Sequence, residues 1–137
     1  MEEIIVSSSL DDTKKVADNL ASHLFGGEVI LLNGDLGAGK TTFTKFLAKS
    51  LGIESNVTSP TFTIVKEYVG SKLNLYHIDM YRLEADSDVE YLGTDEMLKD
   101  KNAITVIEWN KLTNIKNKTI TININTIDET TRKFFIR

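Results

Sequence analysis

Apolar residues in this chain recur in two rhythms, short continuous runs and one-sided helical stripes, and the two alternate. The run Ile4 to Ser7 predicts a short strand. Asp11 and Asp12 then open a predicted helix whose apolar residues Val16, Ala17, Leu20, Ala21, Leu24 and Phe25 share one face, with Gly26-Gly27 as its stop. Glu28 to Leu32 is a continuous apolar run between turn residues, as expected of a strand buried on both faces. A glycine-rich loop follows, then a helix with Phe43, Phe46, Leu47 and Leu51 on one side and Gly52 at its end. Thr61 to Val69 and Lys72 to Tyr81 predict two strands of a hairpin turning at Gly70-Ser71. Ala85 to Lys99 is polar with a few apolar contacts (Val89, Leu92, Met97, Leu98) and predicts short helices. Ala103 to Ile107 is a second fully apolar strand ending in Glu108-Trp109, and Thr119 to Ile127 and Lys133 to Arg137 complete the strands. Strand, helix, strand, helix, then strands is the order of an α/β protein with a mixed, mostly parallel central sheet flanked by helices, plus an antiparallel hairpin.

Composition narrows this picture only slightly. At 137 residues the chain suits one domain, residues 1–137, large enough to bury roughly two-thirds of its unfolded surface. It has no cysteine, which excludes disulfides, thiolate metal sites and a cysteine nucleophile. The acidic N-terminus lacks the basic-then-apolar order of a signal peptide, and no apolar run reaches the roughly 18 residues of a membrane span, so a cytoplasmic protein without a membrane partner is expected. A net charge of −4 favours a protein partner over tight, direct RNA binding.

The chemistry begins at Gly34-Asp35-Leu36-Gly37-Ala38-Gly39-Lys40-Thr41, which fits G-x-x-x-x-G-K-[ST]. Glycines permit backbone angles that bring N–H groups close to phosphate oxygens, and the following helix N-terminus favours an anion. Lys40 is expected on the β- and γ-phosphates, Thr41 on Mg²⁺ and Thr42 on the α-phosphate. An apolar strand before the loop and an amphipathic helix after it supply the context this motif requires.

Such a loop needs an acid at a neighbouring strand end to hold Mg²⁺ or its water shell. Glu108 ends the apolar run Ile104 to Ile107, and Asp79 ends Leu75 to Ile78, where it shares a strand face with His77. We assign Glu108 to the metal and Asp79 to water or the metal shell; from sequence the two roles are interchangeable. Ser59-Pro60-Thr61-Phe62 holds the only proline, and Thr61 is placed to sense a γ-phosphate as switch threonines do, although a plain loop entering a strand reads the same way. His77 lacks companions at metal spacing and is expected to be a hydrogen-bonded structural residue; His23 is expected on the surface. Trp109 fits a core position, a partner contact or a wall of the nucleotide pocket.

Four segments together resemble one family: Gly34-Asp-Leu-Gly-Ala-Gly-Lys-Thr-Thr42, Ser59-Pro-Thr-Phe62, Tyr76-His-Ile-Asp-Met-Tyr-Arg-Leu83 and Ile107-Glu-Trp109 look like the TsaE family, small ATPases of bacterial tRNA threonylcarbamoyladenosine biosynthesis, once called YjeE. The resemblance spans nearly the whole chain. It implies ATP and Mg²⁺ as cofactors and an ATPase that joins the TsaB–TsaD pair, with TsaC supplying threonylcarbamoyl-adenylate and TsaD acting on tRNA, so that tRNA is an indirect partner. It places Thr41 and Glu108 on Mg²⁺, makes Asp79 the Walker-B-like acid and Thr61 the switch threonine, and sets Trp109 near the nucleotide or partner surface. It also suggests that Ser9 and Thr13 approach the adenine end and that Arg132 meets a nucleotide edge. Asn110-Lys111 departs from the family, which usually continues with a proline or small residue and then a glutamate.

Other function classes leave different marks. A guanine reader carries Asn/Thr-Lys-x-Asp, and Asn110-Lys111-Leu112-Thr113 begins that pattern without its aspartate. A nucleotide kinase usually clamps its phosphoryl group with several arginines, whereas Arg82, Arg132 and Arg137 are scattered. A module that uses ATP only as a conformational ligand is compatible with the scarcity of water-orienting groups, so slow hydrolysis by the isolated chain is expected.

Overall fold

The structure is a computed structural model, and it describes residues 2–84 and 92–137. Seven strands, β1 (Glu3–Ser7), β2 (Val29–Asn33), β3 (Val65–Tyr68), β4 (Asn74–Asp79), β5 (Ala103–Glu108), β6 (Thr119–Thr126) and β7 (Arg132–Ile136), form one sheet in the order β1-β7-β6-β2-β5-β4-β3. The four central strands β6, β2, β5 and β4 run parallel, and β1, β7 and β3 add antiparallel edges. Helices α1 (Leu10–Ala21) and α2 (Lys40–Ser50) pack together, and a short α3 (Thr94–Lys99) precedes β5.

Strand alternation divides the interior in two. Ile30 and Leu32 of β2, Ile104 and Val106 of β5 and Leu75 of β4 face one way and meet Val16, Ala17, Phe43 and Leu47 of the two long helices. Val29, Ile107, Ile78 and Met80 face the other way, against Leu92, Met97, Leu98, Leu112 and Ile115. Because β2 and β5 are covered on both sides, they are apolar at nearly every position, which is why both runs stand out in the sequence.

Local chemistry fixes the helix ends. Ser9 caps α1 by accepting from the Asp12 amide at 3.1 Å, and Asp12 Oδ2 accepts from the amide and hydroxyl of the preceding Ser8 at 3.0 Å. Those bonds from Ser8 hold the Asp12 carboxyl below its ordinary value. The helix ends a turn earlier than its apolar stripe suggests. Ser22 closes it, Leu24 tucks into the core, and Phe25 is exposed rather than part of the buried face. Gly26 instead serves the turn into β2: its φ is +117° and a Cβ there would stand 1.9 Å from the Lys101 carbonyl oxygen.

The hairpin is present but shorter in its strands and longer in its turn than the sequence suggests. Residues 61–64 form turns rather than strand, and five residues, 69–73, connect β3 to β4. Of the short helices expected over Ala85 to Lys99, α3 is found, and residues 85–91, including Val89, lie outside the described residues. No helix among the described residues is long and apolar enough to cross a membrane.

Phe43 and Phe134 join α2 to the sheet, with ring centroids 5.8 Å apart and both side chains fully buried. Phe43→Ala is expected to lower unfolding stability by about 3–5 kcal/mol, read as a shift of the denaturant midpoint at constant slope.

Candidate functional site

Three parallel strands end side by side, and the site is built on their ends. Leu32 of β2 pairs with Glu108 of β5, and Glu108 pairs with Asp79 of β4. In register and parity His77, Asp79 and Glu108 point to the side occupied by α2, whose first residue is Lys40. A cleft of about 640 Å³ opens there, lined by Asp35, Lys40, Thr41, Ser59, Thr61, Asp79, Tyr81, Glu108, Trp109 and Arg132 among others. Residues drawn from five separate sequence segments therefore meet in one place, at the carboxyl ends of parallel strands, where open α/β sheets bind ligands.

The glycine-rich loop has the shape its sequence implies. Gly37 and Gly39 adopt φ of +80° and +101°, and Gly39 caps α2 without a side-chain hydrogen bond, leaving the first-turn N–H groups available to an anion. Gly34 is needed for a different reason: a Cβ there would lie 3.0 Å from the Ile124 carbonyl oxygen and 3.1 Å from the Ala38 Cβ. Arg132, at the start of β7, braces the loop from behind. Its guanidinium donates to the carbonyls of Ala38 at 3.0 Å, Gly37 at 3.3 Å, Asp128 at 2.7 Å and Thr131 at 3.1 Å. An arginine expected at a nucleotide edge thus holds the phosphate loop itself, while also lining the cleft.

Lys40 is buried, with its ammonium 3.5 Å from Glu108 Oε1 and 4.8 Å from the centroid of the Trp109 ring. An ammonium has three donors, so this one retains capacity for an incoming anion. Glu108 is buried as well, and its other oxygen, Oε2, accepts from His77 Nε2 at 2.6 Å. Burial pushes the Glu108 carboxyl up; the His77 hydrogen bond and the Lys40 charge pull it down further, so it sits below its usual value and stays ionised. Trp109 follows in a left-handed conformation, φ +54°, with the Tyr81 ring against it at 5.1 Å.

Asp79 is held at both oxygens. The Tyr81 amide donates to Oδ1 at 2.9 Å and the Thr61 hydroxyl to Oδ2 at 3.2 Å, and Ser59 Oγ lies 2.7 Å from Thr61 Oγ1. The Ser59–Phe62 loop is thereby tethered to the end of β4 through one half-buried hydroxyl. It leads into Ile64, a β-branched residue at φ +70°, a conformation that costs energy and marks the base of the loop.

A second cleft of about 340 Å³ continues past the loop, lined by Ser9, Thr13, Ala38, Gly39, Thr42, Arg132 and Phe134 among others. It shares Gly39, Thr42 and Arg132 with the larger cleft. Ser9 and Thr13 therefore do stand beside the phosphate loop, although Ser9 also caps α1 and the Thr13 hydroxyl bonds Ser7 at 2.6 Å.

The donor set suits a phosphate-bound Mg²⁺. Thr41 and Glu108 offer hard oxygens in the same cleft, and Mg²⁺ characteristically takes one or two protein oxygens together with phosphates and water. Among the described residues no cluster of three or more His, Cys, Asp or Glu is arranged to hold a metal by itself.

Two features escaped sequence reasoning. Tyr81 secures Asp79 and packs on Trp109, and its place two residues after Asp79 in the same segment was the available signal. His77 is structural in being buried and hydrogen-bonded, but its partner is the candidate metal acid; the shared strand face with Asp79 hinted at this. Asn110 and Lys111 are occupied locally. Asn110 bonds the Leu112 backbone in both directions, and Lys111 Nζ bonds the Leu83 carbonyl, so neither resembles a guanine contact. His23 is exposed, as expected. Arg82 lies over Phe62, 5.7 Å from its ring centroid, far in role from the loop-bracing Arg132.

Comparison with known proteins agrees with this geometry. The family described as "Threonylcarbamoyl adenosine biosynthesis protein TsaE" matches residues 7–134. A tRNA threonylcarbamoyladenosine biosynthesis protein TsaE from Aquifex aeolicus is 42% identical over 97% of this chain and 93% of its own length. Its namesake from Bacillus subtilis is 50% identical over 72% of this chain, which spans only 61% of that relative. The crystal structure of Bacillus subtilis YdiB superposes with a TM-score of 0.78 at 32% identity, covering 99% of this chain and 84% of the other. With the phosphate loop, the two strand-end acids and the tethered threonine in one cleft, and with the match running from Ser7 to Phe134, this chain belongs to the TsaE family of tRNA threonylcarbamoyladenosine biosynthesis proteins.

Proposed function

We propose that this chain is a Mg²⁺-dependent ATPase that supports formation of threonylcarbamoyladenosine in tRNAs reading codons that begin with A, as the nucleotide-driven partner of a TsaB–TsaD complex. The observation that carries this reading is the convergence of Lys40, Thr41, Thr61, Asp79 and Glu108 on one cleft at the ends of β2, β4 and β5. Family membership supplies the pathway.

The residues divide the work by position. The α2 N-terminus and the Gly37–Gly39 backbone bind phosphate, and Lys40 brings the charge. When bound, Mg²⁺ withdraws charge from the phosphate oxygens, and Thr41 and Glu108 would hold it. Asp79 and Thr61 stand together at the cleft wall, where the carboxylate holds the threonine hydroxyl beside the space a γ-phosphate would fill. The half-buried Thr61–Asp79 bond, 3.2 Å long, is weak enough to be exchanged for a phosphate contact. That exchange would reposition Phe62, which projects into solvent at 86% exposure, and so change the surface offered to a partner. The smaller cleft at Ser9 and Thr13 would receive the base. Chemistry on tRNA belongs to TsaD in this reading, and the cytoplasm is the compartment where these partners meet.

Three outcomes follow. Lys40→Ala should weaken ATP binding by at least roughly thirtyfold, the equivalent of about 2 kcal/mol for one charge-assisted contact, measured by calorimetry; ATP should also bind more tightly than GTP, and a clear preference for GTP would sink the nucleotide assignment. Glu108→Gln should leave metal-free nucleotide affinity at or above that of the parent while removing most Mg²⁺-dependent hydrolysis, so rates equal to the parent would identify Glu108 as the wrong acid. Hydrolysis by the chain alone should be slow and should rise when TsaB and TsaD are added, and depletion of the chain in its cell should reduce threonylcarbamoyladenosine in tRNA. Turnover indifferent to those partners, with the modification undiminished, would refute the pathway reading.

A further inference from the structure

The fold buries one histidine that the proposed reaction does not use. His77, in the middle of β4, is completely inaccessible. Its neighbours on β4 and β5 include five fully buried aliphatic residues, Leu75, Ile78, Ile104, Val106 and Ile107, all at 0% exposure. Its Nε2 meets Glu108 Oε2 at 2.6 Å, whereas its Nδ1 is the one buried side-chain nitrogen or oxygen among the described residues without a hydrogen-bond partner.

Stability does not explain this arrangement. Removing an imidazole and a carboxylate from water is costly, and a buried polar pair of this kind is often matched or exceeded in stability by well-packed apolar residues. Here the imidazole also leaves a ring nitrogen unsatisfied, a further loss that an aliphatic side chain would avoid. What the pairing does accomplish is geometric. With Oε2 tied to His77, the Glu108 carboxylate has a single rotation about its terminal torsion, and Oε1 is the oxygen turned toward Lys40 and the cleft. The bond also fixes the ring orientation, with Nε2 as the donor to the carboxylate.

We infer that His77 is a positioning residue for the metal acid, holding Glu108 so that one carboxylate oxygen faces the cleft at the height of the phosphate loop. This rests on the reading of Glu108 as a Mg²⁺ ligand. His77 touches neither nucleotide nor ion; it acts through the carboxylate, as outer partners of metal-ligating side chains do, and losing such a partner typically costs roughly 10- to 100-fold in metal affinity.

Trp109, the only tryptophan in the chain, adjoins Glu108 and lies under Lys40, so its fluorescence reports on the site without turnover. The test is to load the full chain with a non-hydrolysable ATP analogue and titrate Mg²⁺ against Trp109 emission in the parent, His77→Leu, His77→Gln and His77→Asn, alone and combined with Glu108→Gln. Analogue binding without Mg²⁺ should be unchanged within about twofold in His77→Leu, and the Mg²⁺ midpoint should rise roughly tenfold or more. His77→Gln, whose amide nitrogen reaches the place of Nε2, should recover most of that loss, and His77→Asn, too short, should not. In the Glu108→Gln background the His77 substitutions should move the midpoint no further. Steady-state kinetics should show kcat falling at limiting Mg²⁺ with little change in the KM for ATP. If His77→Leu folds, as judged by thermal unfolding, and keeps the parent midpoint, the inference is overturned. Should His77→Leu fail to fold, equal midpoints for the Gln and Asn variants overturn it instead. A Glu108→Gln midpoint equal to that of the parent is a separate failure: it removes Glu108 from the metal and takes the role of His77 with it.

Discussion

The parallel pairing of β5 with β2 on one side and β4 on the other is the constraint on which the site depends. That register aligns the end of β2, where the phosphate loop begins, with Glu108, and Glu108 with Asp79. A slip of one residue in either strand would turn its side chains to the opposite face, taking its carboxylate out of the cleft and putting an apolar neighbour, Ile78 or Ile107, in its place. The aliphatic runs of β2 and β5 prevent such a slip, because both faces of each strand are packed. The apolar core thus does more than stabilise: it sets the height at which the charges meet.

Around those strand ends the structure accepts several locally unfavourable features. Trp109 and Ile64, the non-glycine residues with positive φ among those described, both adjoin the cleft or the loop that borders it. Lys40, His77, Asp79 and Glu108 are all buried. Each is a departure from what stability alone favours, costing on the order of 1–3 kcal/mol for a strained backbone residue, and together they concentrate at one end of the sheet. The Phe43–Phe134 contact and the two-sided packing of the central strands supply the stability that lets them persist.

Much of this was legible in the sequence for physical reasons. Fully buried parallel strands are apolar at every position, so β2 and β5 announce themselves, and a loop built on Gly37 and Gly39 has few alternative readings. The acids Asp79 and Glu108 were legible because each ends such a run. Other features were hidden because they are long-range. Nothing near Arg132 reveals that its guanidinium reaches carbonyls more than ninety residues away in sequence, at Gly37 and Ala38. The early end of α1 at Ser22 and the turns at residues 61–64 followed from local hydrogen bonding that competes with an apolar pattern, which periodicity alone does not register. The distinction between Asp79 and Glu108 likewise needed their partners: one is joined to a loop hydroxyl and a backbone amide, the other to a buried imidazole and the phosphate-loop lysine.

Those partners also determine how ligand charges are received. In the chain by itself the Lys40 ammonium is balanced by the Glu108 carboxylate and the face of Trp109, so neither buried charge stands alone. On the proposed reading, a triphosphate takes over Lys40 and a cation takes over Glu108, and each protein charge exchanges one counter-charge for another. Either ligand arriving alone leaves one member of the pair uncompensated in a poorly solvated place. Nucleotide and metal should therefore favour each other's binding, since the second ligand restores the balance the first disturbs. The coupling comes from the Lys40–Glu108 pairing itself and requires no movement of the sheet, which leaves the tethered Thr61 loop as the part free to report the change outward.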